Sequence, residues 1–369
     1  MYTNPLKIKS LITHDPANVA ADSEVCVWDL GSTGIRAAVY DISRPHLPAL
    51  KVVKTSEAVA DAISELNIQQ EESQDRIIVA VKEMRGHLSQ HDFLDEIVIA
   101  TESLRSNADP ETVRKFIELF YNETGLAADT ISGKREAELI GLGLMNRLPD
   151  DKKIIGIHLG GGSLDFVQCK NGRKKGPRII NTLSLPAGVR RIEAAVKQGK
   201  GVSPESFMQE LLEHDDVQSF LEDVRDHSIA LVGAEWNRLL RDSFARESGQ
   251  QLKSTGEPVI VETSELLKYY NQLSGASSEE LFERGFSAKQ LKSSTIPEAV
   301  MRALIQEIQP DAVTFPCVSV RDGVAVELAG EFEDVLTEQL EIDFEYASTE
   351  NPEPTERQQN TFPLTAEAA

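Results

Sequence analysis

Cysteine is scarce in this chain: three residues in 369, at Cys26, Cys169 and Cys317, odd in number and far apart. That excludes a disulfide framework and any closely spaced zinc pattern. Each lies in an apolar run, so reduced, buried thiols in a cytoplasmic protein are expected. No apolar stretch approaches the roughly 20 residues a membrane-spanning helix needs. The first twenty residues also lack the apolar core of a secretory leader, so no membrane attachment is expected. Cations are outnumbered, 38 Lys and Arg against 60 Asp and Glu, for a formal net charge of −22. Duplex nucleic acid is held through clustered Lys and Arg and is therefore excluded as a general partner. An anionic substrate would need a metal ion or a local basic patch.

The 40% of hydrophobic residues and 27% of charged residues are those of a globular protein. At roughly 100–200 residues per domain the length suggests two domains. Residues 1–23 read as a loose polar arm. An alternating run then predicts a strand at 25–29, a turn at Gly31-Ser32-Thr33-Gly34, a strand at 35–41 and a third near 50–54. A helix over 70–88, a buried strand at 96–100 and helices over 110–123 and 133–146 follow. Asp109 and Pro110 supply the cap and first turn of the second of these helices.

From 154 the same design returns in IIGIHLGGGSLDFVQC. A strand at 154–158, a turn at Gly160-Gly161-Gly162-Ser163, a strand at 164–169 and a third near 178–184 begin 129 residues after the first unit. Two like units, each followed by helices, predict a duplicated α/β architecture with a cleft between its halves. Helices are expected to dominate 203–309, with strands at 312–318 and 324–328. The tail 330–369 holds eleven carboxylates against Arg357 alone and reads as acidic and disordered.

Two segments point to chemistry. Asp29-Leu30-Gly31-Ser32-Thr33-Gly34 ends a buried strand in a carboxylate and a tight turn. Such a turn collects backbone N–H groups and hydroxyls around one point, suited to a phosphate with a metal ion on the aspartate. Gly160-Gly161-Gly162-Ser163 lets the main chain approach an anion with no side chain in the way. Either hairpin turn alone could be purely structural. The basic run Lys170, Arg173, Lys174, Lys175 and Arg178, with Arg190 and Arg191, could draw a polyanion to the cleft or be a solvated hairpin tip.

These residues carry a resemblance. Asp29–Gly34, Ala100-Thr101-Glu102-Ser103-Leu104-Arg105, the stretch from Ile131 to Ile140 and Leu159–Ser163 resemble, in order and spacing, the exopolyphosphatase/guanosine pentaphosphate phosphohydrolase (Ppx/GppA) family of the actin-like ATPase superfamily. Ser184–Gly188 and Val320-Arg321-Asp322-Gly323 resemble its later motifs. The resemblance implies an actin-like (ribonuclease H-like) duplicated fold: domain I over 24–150 and domain II over 151–329, whose last part packs back on domain I. It implies hydrolysis of a terminal phosphoanhydride of inorganic polyphosphate or guanosine pentaphosphate with Mg²⁺, or Mn²⁺ in its place.

By the same resemblance Glu136 is the general base on water and Arg105 clamps the terminal phosphate. Ser32, Thr33, Gly160, Gly161, Gly162 and Ser163 line the phosphate site. Asp29, Asp165 and His158 stand where the metal would be held. The chain also departs from the family. His158 replaces an aspartate and Asp165 a glutamate, and an imidazole supplies no hard anionic oxygen to Mg²⁺. Val232-Gly233-Ala234-Glu235-Trp236 lacks the usual threonine, and no arginine stands near Lys289-Gln290-Leu291. A catalytically weakened relative that binds a phosphorylated ligand as a sensor is therefore the alternative. A phosphotransferase of the same superfamily is disfavoured, and the sequence leaves assembly open, a homodimer included.

Overall fold

The computed structural model describes residues 23–44, 49–63, 70–106, 109–148, 153–170, 178–199, 202–222, 224, 227–233, 236, 258–274, 276–283 and 288–330. Two hairpins seed its two halves. In the first, β1 (Glu24–Gly31) is buried along nearly its whole length, as a central strand must be, and pairs antiparallel with β2 (Gly34–Asp41). β3 (Lys51–Lys54) continues antiparallel on β2. Helices α1 (Val59–Ile63) and α2 (Gln70–Leu88) lead to β4 (Asp95–Ala100), which runs parallel to β1. α3 (Glu102–Ser106) and α4 (Pro110–Thr124) lead to β5 (Ala128–Thr130), parallel to β4, giving the order β3-β2-β1-β4-β5. α4 begins where the Asp109 carboxylate accepts the Thr112 N–H at 3.1 Å, and ends at Gly125 with φ 73°. Ile77, Val81, Phe116 and Phe120 pack onto Trp28, Leu30 and Ile35 to form the first core.

After α5 (Gly133–Arg147) the pattern repeats. β6 (Lys153–Leu159), β7 (Leu164–Lys170) and β8 (Arg178–Leu185) form a meander. α6 (Val189–Gln198), α7 (Pro204–Leu212) and α8 (Asp215–Glu222) precede β9 (Ser228–Val232), which lies parallel to β6. β10 (Val259–Glu262), α9 (Thr263–Ser274), α10 (Ser278–Glu283) and α11 (Ala288–Ile308) lead to β11 (Ala312–Phe315), parallel to β9, and to α12 (Val320–Leu328). The order β8-β7-β6-β9-β11, with β10 added at the edge, repeats that of the first sheet. This is the duplicated α/β, actin-like (ribonuclease H-like) fold expected from the sequence.

The halves are tied by two helices that cross between them. α5 leaves the first sheet and packs on β6, β7 and β8, while α12 packs on α5, β1 and β2. A Cβ on Gly323 would stand 1.8 Å from the Leu139 carbonyl oxygen, so the α5 and α12 backbones touch. Arg135 of α5 pairs with Glu327 of α12, and Arg147 lies 3.7 Å from Asp322.

Three expectations need correction. Residues 324–328 are helical: Ser319 and Asp322 close a capping box, with the Ser319 N–H 2.9 Å from Oδ2 of Asp322, and Gly323 admits the close helix packing. The 203–309 region contains strands β9 and β10 among its helices. Cys317 is half-buried with φ 54°, at a cavity wall, whereas Cys26 and Cys169 are buried and burial pushes both thiols up to about 12. The expected arm 1–23, apart from Ser23, and all of the acidic tail after Gly330 lie outside the described residues.

Candidate active site

Each sheet ends its first hairpin in a tight turn, and the two turns face each other. Ser32 and Thr33 join β1 to β2; Gly160 to Ser163 join β6 to β7. Both line one cavity of about 420 Å³ whose walls include Asp29, Glu136, His158 and Arg321. The glycine turn is held from behind. Its Gly160, Gly161 and Gly162 carbonyls accept the Val189, Arg190 and Gly188 N–H groups at 3.0, 2.8 and 3.1 Å. The turn thereby presents its main chain toward the cavity. A Cβ on Gly162 would fall 1.6 Å from Oε2 of Glu102, so any larger residue there would displace that carboxylate.

Glu136 arrives from the first turn of α5. Ser132 caps that helix by accepting the Arg135 N–H at 3.0 Å, which fixes the turn and directs Glu136 inward. The Glu136 side chain is 4% exposed. Arg105 Nη1 donates to its Oε2 at 2.9 Å and to the Ile131 carbonyl at 2.8 Å. On the other side, His158 Nδ1 lies 3.9 Å from Oε1. Burial, then the nearby Asp165 charge, pushes the carboxyl up to about 7 against the opposing pull of Arg105 and His158. The residue is thus poised as a base near neutral pH.

Asp165 is buried and well served. Ser163 Oγ donates to Oδ2 at 2.8 Å, Ser184 Oγ to Oδ1 at 2.5 Å, and His158 Nδ1 lies 3.1 Å from Oδ2. Burial alone would lower the His158 imidazole. The hydrogen bond and charge of Asp165, with the charges of Glu136 and Asp29, outweigh burial and hold it above the ordinary value. Among the described residues Glu136, His158 and Asp165 each offer one ligand atom, all within 4.8 Å of one another. One imidazole nitrogen among carboxylates suits an ion that accepts nitrogen, as Mn²⁺ does more readily than the oxygen-seeking Mg²⁺.

Asp29, the remaining expected metal ligand, is not brought into that trio. Its Oδ2 accepts from Arg321 Nη1 at 3.2 Å and lies 3.8 Å from Arg36 Nη1. Ser32, Thr33 and Gly160 to Ser163 all line the shared cavity; Arg105 lines an adjoining cavity with Gly133, Lys134 and Ser184.

Sequence reasoning missed the ties across the turns. Arg190 Nη1 donates to the Ser32 carbonyl at 2.9 Å and Nη2 pairs with Asp61, while Arg191 Nε donates to Glu102 Oε1 at 3.0 Å. The sequence joins both arginines to the basic run, as polyanion attractors or part of a solvated tip, and shows nothing of these partners. The only signal to the contrary was their place at the start of an amphipathic helix just after Gly188. Arg173, Lys174 and Lys175 of that run lie outside the described residues.

No curated protein matches the chain in sequence. Among solved structures it is similar to an exopolyphosphatase from Cytophaga hutchinsonii, with a TM-score of 0.68 and 18% identity over 83% of this chain and 98% of that one. It is also similar to the Aquifex aeolicus member of the Ppx/GppA protein family, with a TM-score of 0.65 and 18% identity over 85% and 98% of the two chains. The model of the Ppx/GppA phosphatase family matches residues 38–332. The chain belongs to the Ppx/GppA phosphatase family.

Proposed function

We propose that the protein hydrolyses the terminal phosphoanhydride of a linear polyphosphate, inorganic polyphosphate first and guanosine pentaphosphate second. The observation that carries the proposal is the Glu136 carboxylate: buried, held by Arg105 on one oxygen, and set in the wall of the cavity that the two turns share. The glycine-turn N–H groups and the Ser32, Thr33 and Ser163 hydroxyls would hold the phosphate oxygens. Arg105 Nη1 fixes the carboxylate, and Nη2, on the side of the adjoining cavity that shares Ser163 with the cradle, would take the terminal phosphate. Glu136 would orient a water in line with the leaving oxygen and take its proton on Oε1. His158 and Asp165 would hold a divalent ion beside Glu136, Mn²⁺ in preference to Mg²⁺, which when bound offsets negative charge on the phosphates.

The test is orthophosphate release from long-chain polyphosphate, guanosine pentaphosphate and ATP, each with Mn²⁺ or Mg²⁺. Release from polyphosphate supports the proposal. Tight binding of all three without release supports the second reading, a phosphorylated-ligand sensor. The commitment of Asp165 to two serine hydroxyls and His158, and the Glu102 carboxylate against the glycine turn, favour that reading.

A further inference from the structure

Glu102 puts a carboxylate where the proposed chemistry needs a phosphate. It stands in the first turn of α3 with its side chain 5% exposed. Ser32 Oγ, in the turn of the first half, lies 3.5 Å from its Oε2. On the opposite side, a Cβ on Gly162 of the glycine turn would fall 1.6 Å from the same oxygen. One carboxylate oxygen therefore sits between the two turns, as an oxygen of a bound phosphate would.

The other carboxylate oxygen is held from α6. Arg191 Nε donates to Oε1 at 3.0 Å, and Nη2 donates to the same atom. The start of α6 is itself fixed to the cradle, since the Val189 and Arg190 N–H groups bond the Gly160 and Gly161 carbonyls. Glycine turn and guanidinium thus form one rigid half of an anion site, and the chain's own carboxylate fills it. Glu102 also divides the space. The shared cavity and the adjoining one meet at Glu102 and Ser163, so Arg105 and the glycine turn line different cavities while that carboxylate is in place.

We propose that Glu102 is an internal occupant of the phosphate cradle that substrate displaces, and that Arg191 then passes from its carboxylate to a substrate phosphate. The proposal deepens the polyphosphate reading of this site and rests on it for the identity of the ligand. With Glu102 in place the cradle is closed to polyanions by bulk and by charge. Binding exchanges one oxyanion for another on Arg191, so this cation has an anionic partner before and after. Departure of Glu102 also joins the two cavities, and one phosphate then meets both the glycine turn and Arg105. Apparent affinity is the intrinsic affinity scaled by the fraction of molecules that Glu102 has vacated.

The experiment is a calorimetric titration of the whole chain with methylenediphosphonate, a diphosphate analogue that is not hydrolysed. Glu102→Ala is expected to bind it at least fivefold more tightly than the wild type. Glu102→Gln, which keeps the bulk and loses the charge, is expected to fall between them. Asp61→Asn removes the carboxylate paired with the neighbouring Arg190 and is expected to give no gain. Adding Arg191→Ala to Glu102→Ala is expected to weaken binding at least fivefold. Circular dichroism confirms that the variants are folded. No gain from either Glu102 substitution, an equal gain from Asp61→Asn, no loss on removing Arg191, or no binding by any form overturns the proposal. Orthophosphate release from long-chain polyphosphate is followed on the same proteins. Tighter binding by Glu102→Ala without release by any of them leaves the exchange standing and ends the hydrolase reading. Release by the wild type with binding indifferent to Glu102 does the reverse.

Discussion

Glu136 answers to two opposed demands. Its place in the first turn of α5 favours the charged form, while burial and the charge of Asp165 favour the proton, and the second pair wins. Between about 4.5 and 7 the folded state therefore holds a proton that the unfolded state has released, so this residue's contribution to stability falls as pH rises. The stability of the wild type relative to Glu136→Gln is expected to decline by up to about 1.4 kcal/mol per pH unit across that window and level off above it. Denaturant midpoints of both proteins at pH 5, 6, 7 and 8 check this; a constant difference contradicts it. Activity moves the other way, since a base must be ionised: kcat/KM rises with pH and flattens above about 7. His158 makes a separate prediction. His158→Asp supplies the oxygen ligand that Mg²⁺ prefers, so the ratio of Mg²⁺- to Mn²⁺-supported activity should rise roughly tenfold or more. An unchanged ratio removes His158 from metal choice.

At the scale of elements, α5 and α12 do most to bring the halves together. α5 carries Glu136 and Arg135; α12 carries Arg321, which holds Asp29, and Glu327, which holds Arg135. Their contact rests on Gly323, where an added methyl meets the Leu139 carbonyl at 1.8 Å. Gly323→Ala should therefore cost roughly 3 kcal/mol and also reduce activity, because the helices must part. Calorimetric unfolding checks the first effect, and a Tm unchanged within a degree contradicts it.

The same elements show what the sequence could disclose. The two hairpins and their glycine turns were legible because alternation, glycine and position repeat at a fixed spacing. Helix α4 is legible from its Asp109 cap and Pro110, and α5 from its spacing alone, its Ser132 cap emerging only in the structure. The end of the chain was misread because Val-Ala-Val in 324–326 alternates only weakly, and what makes it helical is a Ser319–Asp322 capping box plus a distant partner, α5. β9 and β10 are short apolar runs that periodicity cannot separate from helix. At the site, the opposition of the two turns followed from their duplication. The roles of Glu102, Arg190 and Arg191 did not, because each is defined by a partner 89 or more residues away.

At the scale of the whole molecule the cavity is a shared one. Ser32 and Thr33 come from one half and Gly160 to Ser163 from the other, and Arg190 and Arg191 strap the halves together through the Ser32 carbonyl, Asp61 and Glu102. Parting the two halves would break these straps. Arg190→Ala should raise both the rate of ligand release and KM severalfold with a smaller change in kcat. Stopped-flow dissociation of a labelled polyphosphate measures this directly; an unaltered rate means that the straps do not gate the cavity. Chain charge bears on entry too: at −22 the protein as a whole repels polyanions, so attraction rests on local cations such as Arg36, Arg147 and Arg321 of the cavity wall.

The most direct measurement is the rate of orthophosphate release from long-chain polyphosphate, with Mn²⁺ at pH 8, by wild type and by Glu136→Gln. The account predicts steady release by the wild type and a loss of about 10²–10⁴-fold in the variant, with polyphosphate still bound. Equal rates in the two proteins, or a wild type that binds polyphosphate and releases nothing, would contradict it.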